Sequence, residues 1–261
     1  MIITKKAIFI TFLVCLAVAV AAACVTDDTV PTEATPKRQI PIYCVDTEEK
    51  KVAVTFDAAW GDSDTDTLID ILASHNAKAT FFIVGEWAEK YPESVKKLFE
   101  AGHEIANHSY NHTLYSKLDE NAVCADIEKC NAALENITGK KPTLLRSPSG
   151  DYTNVSEIAA KKSGMTTVQW SVDSLDWRGL SSEEIKTRVL SAAENGSIIL
   201  FHNDVKSTPE ALDGILSSLS EKGYSFVGVS ELIFPEPIKS TAQASKSSNK
   251  NSEDKSYLVL A

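Results

Sequence analysis

Short apolar runs alternating with amphipathic stretches predict an α/β fold, a parallel sheet covered by helices. Three observations carry this. The composition is that of a folded chain, 43% hydrophobic, 24% charged and 8% aromatic, with 11 Gly and 9 Pro in 261 residues. Strand-like runs recur at 52–56, 79–84, 104–106, 143–145, 166–170, 197–201 and 225–229. Helical patterns with recognisable ends fill many of the gaps between them, and about seven such units suggest barrel-like closure.

The helices are read from their ends. Thr65 is placed as the cap of an apolar-faced helix from 65. Residues 92–101 begin on Pro92, favoured in a first turn, and stop at Gly102. Residues 119–137 stop at Gly139, and 208–222 open Thr-Pro-Glu and stop at Gly223. Residues 181–193 open Ser-Ser-Glu-Glu, which predicts a capping box, and end before Gly196.

The ends of the chain read differently. Lys5 and Lys6 precede an apolar run, 7–23, that closes on Ala21-Ala22-Ala23, the pattern of an export signal. Cys24 follows at once, as in bacterial lipoproteins, although Ala21 stands where their signal usually has a larger apolar residue. Lipidation, plain cleavage nearby and an uncleaved anchor all remain open. Residues 24–41 read as a tether and 235–261 as a low-complexity tail, which leaves one domain at 42–234. The expected location is outside the cell, at the membrane's outer face or secreted. The net charge is −10, becoming −12 once Lys5 and Lys6 are removed. Such a chain is poorly suited to bind a nucleic-acid backbone. Cys124 and Cys130 fall on different sides of one helix and are not expected to bridge, whereas Cys44 could pair with either.

Parallel α/β folds gather chemistry at the C-terminal ends of their strands. Those positions hold Asp57, then His108 and His112, then Arg146, then Asp173 and Asp176, then His202. Any one of these is an ordinary loop residue. Together they include three of the chain's five His. His108 and His112 would share one side of a helical turn, a workable pair of divalent-metal ligands.

In order, these residues fall into five motifs: Thr55-Phe56-Asp57-Ala58-Ala59, His108 to His112, Arg146-Ser-Pro-Ser-Gly150, Asp173 to Trp177 and Leu200-Phe-His202. The set resembles the NodB-homology polysaccharide deacetylases, carbohydrate esterase family 4, over residues 51–233. The resemblance implies a distorted (β/α) barrel carrying a metal-dependent deacetylase site. It implies Asp57 as general base, Arg146 holding that carboxylate, and His202 as the acid for the leaving amine with Asp176 as its partner. It further implies an acetyl pocket of Trp177 and Leu200, an oxyanion site at the Ser149 N–H, and a divalent metal, foremost zinc with cobalt or manganese as alternatives, on His108 and His112. The substrate implied is an N-acetylated polysaccharide, peptidoglycan ahead of chitin-like polymers.

Two positions depart from the pattern. Ala58 stands where the family's third metal ligand, an Asp, is expected, so Asp64 or Asp62 in the same loop is the expected substitute, with Asp64 preferred. Ser149 replaces an aromatic common in the family, which predicts a more open pocket. Ala58 also leaves room for a different reading, a catalytically weak domain that binds glycan or a wall protein.

Overall fold

The structure is a computed structural model that describes residues 39–234. The signal segment at 1–23, most of the tether at 24–41 and the tail at 235–261 lie outside the described residues.

Seven parallel strands form a curled half-barrel with helices packed around it. In chain order the strands are β1 (Lys51–Ala58), β2 (Ala79–Ile83), β3 (Glu104–Asn107), β4 (Leu144–Leu145), β5 (Thr166–Thr167), β6 (Val172–Asp173) and β7 (Ile198–His202). Their spatial order is β5-β4-β3-β2-β1-β7-β6, and a short β8 (Ser225–Phe226) pairs with the start of β1. The helices are α1 (Thr65–Ser74), α2 (Gly85–Lys90), α3 (Pro92–Glu100), α4 (Glu120–Thr138), α5 (Asn154–Lys162), α6 (Ser182–Ala192), α7 (Thr208–Glu221) and α8 (Val229–Ile233).

Strand alternation explains why chemistry sits at one end. On β1, Val52, Val54, Phe56 and Ala58 join the apolar cluster that also takes in Leu68 and Leu72 of α1 and Leu212 and Ile215 of α7. The other face of β1 carries Ala53, Thr55 and Asp57, and that of β7 carries Ile198, Leu200 and His202. Ala53 and Ile198 pack in a second cluster with Phe82, Ala106, Leu144 and the α8 residues Val229, Leu232 and Ile233. This face therefore runs from apolar at the strand starts to ionisable at the strand ends. The β1–β7 register sets Asp57 opposite His202.

Three expectations need correction. The run read as one strand at 166–170 is split. Val168 bridges Ile42, and the Ser171 N–H donates to the Ile198 carbonyl, so the chain here leaves β4 and crosses to β7. This crossing puts β5 and β6 at opposite ends of the sheet order. The run read as 225–229 pairs only at Ser225–Phe226, because Val229 already begins α8. At α1 the cap position is Asp64, not Thr65, and its side chain makes no capping bond.

The capping box of Ser181 and Glu184 forms as read. A second box, of Thr153 and Ser156, starts α5, which the periodicity did not flag. Cys124 and Cys130 are both free thiols, so neither is bridged to Cys44.

Candidate active site

A cavity of about 370 Å³ opens at the strand ends, lined by Asp57, Ala59, Trp60, His108, His112, Ser149, Trp170, Asp173, Trp177, Leu200 and His202. Its loops are held in costly backbone conformations. Of the six non-glycine residues with positive φ among the described residues, Ser109, His112, Ser149, Leu175 and Asp204 belong to these loops. Strain of this kind survives only where surrounding bonds fix it.

Arg146 is the hub of one wall. It is fully buried, its guanidinium 4.0 Å from the Phe82 ring centroid. One terminal nitrogen donates to Asp57 Oδ1 at 2.8 Å and to Thr55 Oγ1 at 2.9 Å, and the other donates to the Gln169 carbonyl at 3.0 Å. Burial alone would raise the Asp57 pKa, but the neighbouring positive charges and the Arg146 bond outweigh it and hold this carboxyl below the usual range. Burial pulls His108 down to about 4, while Arg146 is a cation at any ordinary pH.

His108 follows β3, with its Nδ1–H donating to the Arg146 carbonyl at 2.8 Å. That bond fixes the tautomer and leaves Nε2 facing the pocket, 3.4 Å from Asp57 Oδ2. His112 is also lowered by burial, and the two rings stand 5.0 Å apart, edge to face. No helical turn brings them together, contrary to the reading from spacing. Asn107 Oδ1 accepts the Ser109 N–H, Ser109 Oγ accepts the His112 N–H, and both residues sit at positive φ. Asn107 is anchored in turn by donating to the Ile127 carbonyl and Asn131 Oδ1 of α4.

The opposite wall is built around Asp176, which is fully buried. It accepts hydrogen bonds from His202 Nδ1 at 2.7 Å, the His202 N–H and Trp177 N–H at 2.9 Å each, and the Thr208 hydroxyl at 2.7 Å. Burial would lower the His202 pKa, but the Asp176 bond and the Asp57 and Asp176 charges raise it above its ordinary value. His202 Nε2 is left for the pocket. Leu200 lies one turn of the pleat below, and Trp177 stands 55% exposed at the rim. Asp173 caps the same loop by accepting the Leu175 N–H. Ser149 sits in a tight turn that uses the N–H groups of Gly150 and Asp151 on the Ser147 and Pro148 carbonyls.

The structure thus gathers Asp57, His108, His112, Arg146, Ser149, Asp176, Trp177, Leu200 and His202, and leaves Asp64 out. Asp64 Oδ2 accepts the Asp204 N–H at 2.8 Å, away from the His pair, and burial pushes its carboxyl up to about 6. Asp62 accepts from Ser94 on α3 instead. The folding of their own loop therefore commits both expected substitutes for the third ligand to other partners. Ala58 has no ligating atom in its side chain, and its methyl packs in the outer core at the end of β1. Two neutral imidazoles suit a divalent metal, but among the described residues no group of three or more His, Cys, Asp or Glu is arranged to hold one. The residues present do not complete the metal site that the resemblance implied. Reading the sequence also missed Trp60 and Trp170 as lining residues.

A buried carboxylate–arginine pair facing a buried carboxylate–histidine pair across an apolar-walled pocket defines a hydrolase-type site. Residues 45–168 match the family model described as polysaccharide deacetylase. The chain is 37% identical over 194 residues to a peptidoglycan-N-acetylglucosamine deacetylase of Bacillus cereus, covering 72% of this chain and 91% of that protein. It is 38% identical over 194 residues to the uncharacterised protein YlxY of Bacillus subtilis, covering 74% of this chain and 60% of that one. Among solved structures, a family 4 carbohydrate esterase pseudoenzyme from Bacillus anthracis superposes with a TM-score of 0.72 at 32% identity, over 74% of this chain and 69% of that one. A mutant of that pseudoenzyme has restored enzymatic activity. The chain belongs to the polysaccharide deacetylases, the carbohydrate esterases of family 4.

Proposed function

We propose that this protein removes acetyl groups from an N-acetylated glycan outside the cell, peptidoglycan ahead of chitin-like polymers. The observation that carries this is the pairing across one pocket of Arg146-held Asp57 with Asp176-held His202. Hydrolysis of an acetamide needs a base for the attacking water, donors for the oxyanion and an acid for the departing amine. Asp57 would take the water's proton, the Ser149 N–H would face the oxyanion, and Nε2 of His202 would protonate the amine. Leu200 and Trp177 would enclose the methyl. Acetate and a free amino sugar result. The relatives named for peptidoglycan support the substrate class. Export through 1–23, and tethering at Cys24 or secretion, belong to the same proposal, and fractionation of a Cys24→Ala variant separates the last two.

A divalent metal is part of the proposal only as far as His108 and His112 provide a donor pair. The shortfall at Ala58 favours a second reading, glycan or wall-protein binding with little or no turnover. Acetate release from an N-acetylglucosamine tetramer and from peptidoglycan, by the full chain with zinc, cobalt or manganese added, separates the two. Release supports the deacetylase. Binding of the glycan with no acetate under any metal would leave the second reading standing.

A further inference from the structure

Two tryptophans flank the pocket mouth, and only one of them is explained by the site described above. Five large apolar side chains are exposed among the described residues, and Trp60 and Trp177, at 50% and 55%, are the two that line the pocket. Single exposed apolar residues are ordinary. Two indoles on one rim, with an apolar cavity between them, are not scattered surface residues.

The loop that carries Trp60 is held on both sides of it. The Ala59 N–H donates to Asn203 Oδ1 at 3.2 Å, and the Gly61 N–H donates to Asp204 Oδ2 at 3.1 Å. The Gly61 carbonyl accepts from Trp87 Nε1 at 3.0 Å and also from the Asn203 amide. A Cβ at residue 61 would lie 2.2 Å from Asp204 Oδ2, so glycine is what lets the loop close onto this carboxylate. Both partner residues, Asn203 and Asp204, directly follow His202. The same contacts that fix the loop therefore fix Trp60 relative to His202, and the two ring centroids stand 5.2 Å apart. A rigid backbone holding a half-exposed indole beside an acid group has no evident packing purpose, since much of the ring's area stays in water.

We propose that Trp60 is a saccharide-binding residue, the stacking platform for the apolar C–H face of a pyranose ring lying next to the acetylated sugar. The proposal rests on the glycan-directed reading above and adds a subsite to it. Pyranose rings with equatorial substituents present axial C–H groups on their faces, and a preformed indole receives such a face with little ordering cost. Because Trp60 stands at the rim beside His202, half-exposed, a platform there favours chains over single sugars.

The test uses the full chain, titrated calorimetrically with N-acetylglucosamine and with its tetramer. Trp60→Ala should weaken tetramer binding by about tenfold or more while changing the monomer by less than about threefold. Trp60→Phe, which keeps an aromatic face, should stay within about threefold of wild type for the tetramer. An independent readout is the Trp60 indole N–H signal, which should shift on saturation with tetramer. Tetramer binding that survives Trp60→Ala but is lost in Trp177→Ala overturns this proposal and leaves the broader reading intact. An indole signal that does not move overturns it whatever the variants do. A wild-type chain that binds no saccharide overturns both.

Discussion

The two walls of the pocket are finished to different degrees. On the His202 wall both the ring Nδ1 and the backbone N–H of His202 have a partner. Asp176 is fully buried and takes four hydrogen bonds, two of them from His202 itself. On the His108 wall the imidazoles are oriented and neutral, yet the carboxylate the family places beside them is replaced by a buried methyl group. The Asp176–His202 arrangement is complete in its hydrogen bonds, whereas the His108–His112 pair has no third ligand grouped with it among the described residues. The same family includes a pseudoenzyme, a mutant of which has restored enzymatic activity.

The sharpest way to break this contrast is to remove the finished wall. His202→Ala should lower acetate release by roughly 10²–10⁴-fold, the worth of a positioned general acid. Glycan binding, measured in parallel, should change far less. Equal loss of both would mean that His202 acts as a binding contact and not as an acid.

Arg146 holds its own wall together through Asp57, Thr55 and the Gln169 carbonyl. Arg146→Met leaves a buried carboxylate unpaired and should destabilise the fold by about 3–5 kcal/mol in denaturant titrations. A shift below about 1 kcal/mol would show that Asp57 is solvated or protonated without its partner.

Ala58→Asp probes the unfinished wall. Because residue 58 faces the outer core, an unpaired carboxylate there should lower stability by about 3–5 kcal/mol without added metal. Recovery of the melting temperature on adding zinc would show that the strand end can turn the new side chain toward His108 and His112. No recovery would show that the regular end of β1 forbids it.

The smallest effect is the pH profile. Asp57, with its pKa lowered, stays ionised until pH falls below the ordinary carboxylate range, so the acid limb of activity lies low. His202, with its pKa raised, stays protonated past its ordinary value and loses its proton only as pH climbs above that. Acetate release should therefore fall on the alkaline side at a pH above 6.5. A Thr208→Val variant, which removes one donor from Asp176, tests whether that limb belongs to His202, because the limb should move. An alkaline limb that stays fixed would assign it to another group.

Much of this was legible in the residues, for reasons that differ from part to part. Strand ends could be found because apolar runs stop there, and the ionisable residues that follow had to line one rim of a parallel sheet. The capping box at Ser181 was readable because its bonds are local. What escaped depends on contacts between distant segments. The loop after β1 is folded by Asn203 and Asp204, far along the chain, and those bonds turn Asp64 away from the His pair and set Trp60 on the rim. The separate strand at Val172–Asp173 exists only because the chain crosses to β7 there. The turn between His108 and His112 is held by Asn107, itself tied to α4, and it replaces the helical turn that spacing suggested.

The most direct test is mass spectrometry of N-acetylated peptidoglycan fragments incubated with the full chain and added divalent metal, beside the His202→Ala variant. The account predicts amino sugars that have lost their acetyl groups with the wild type and unchanged fragments with the variant. Fragments that bind the wild type yet keep every acetyl group would contradict it.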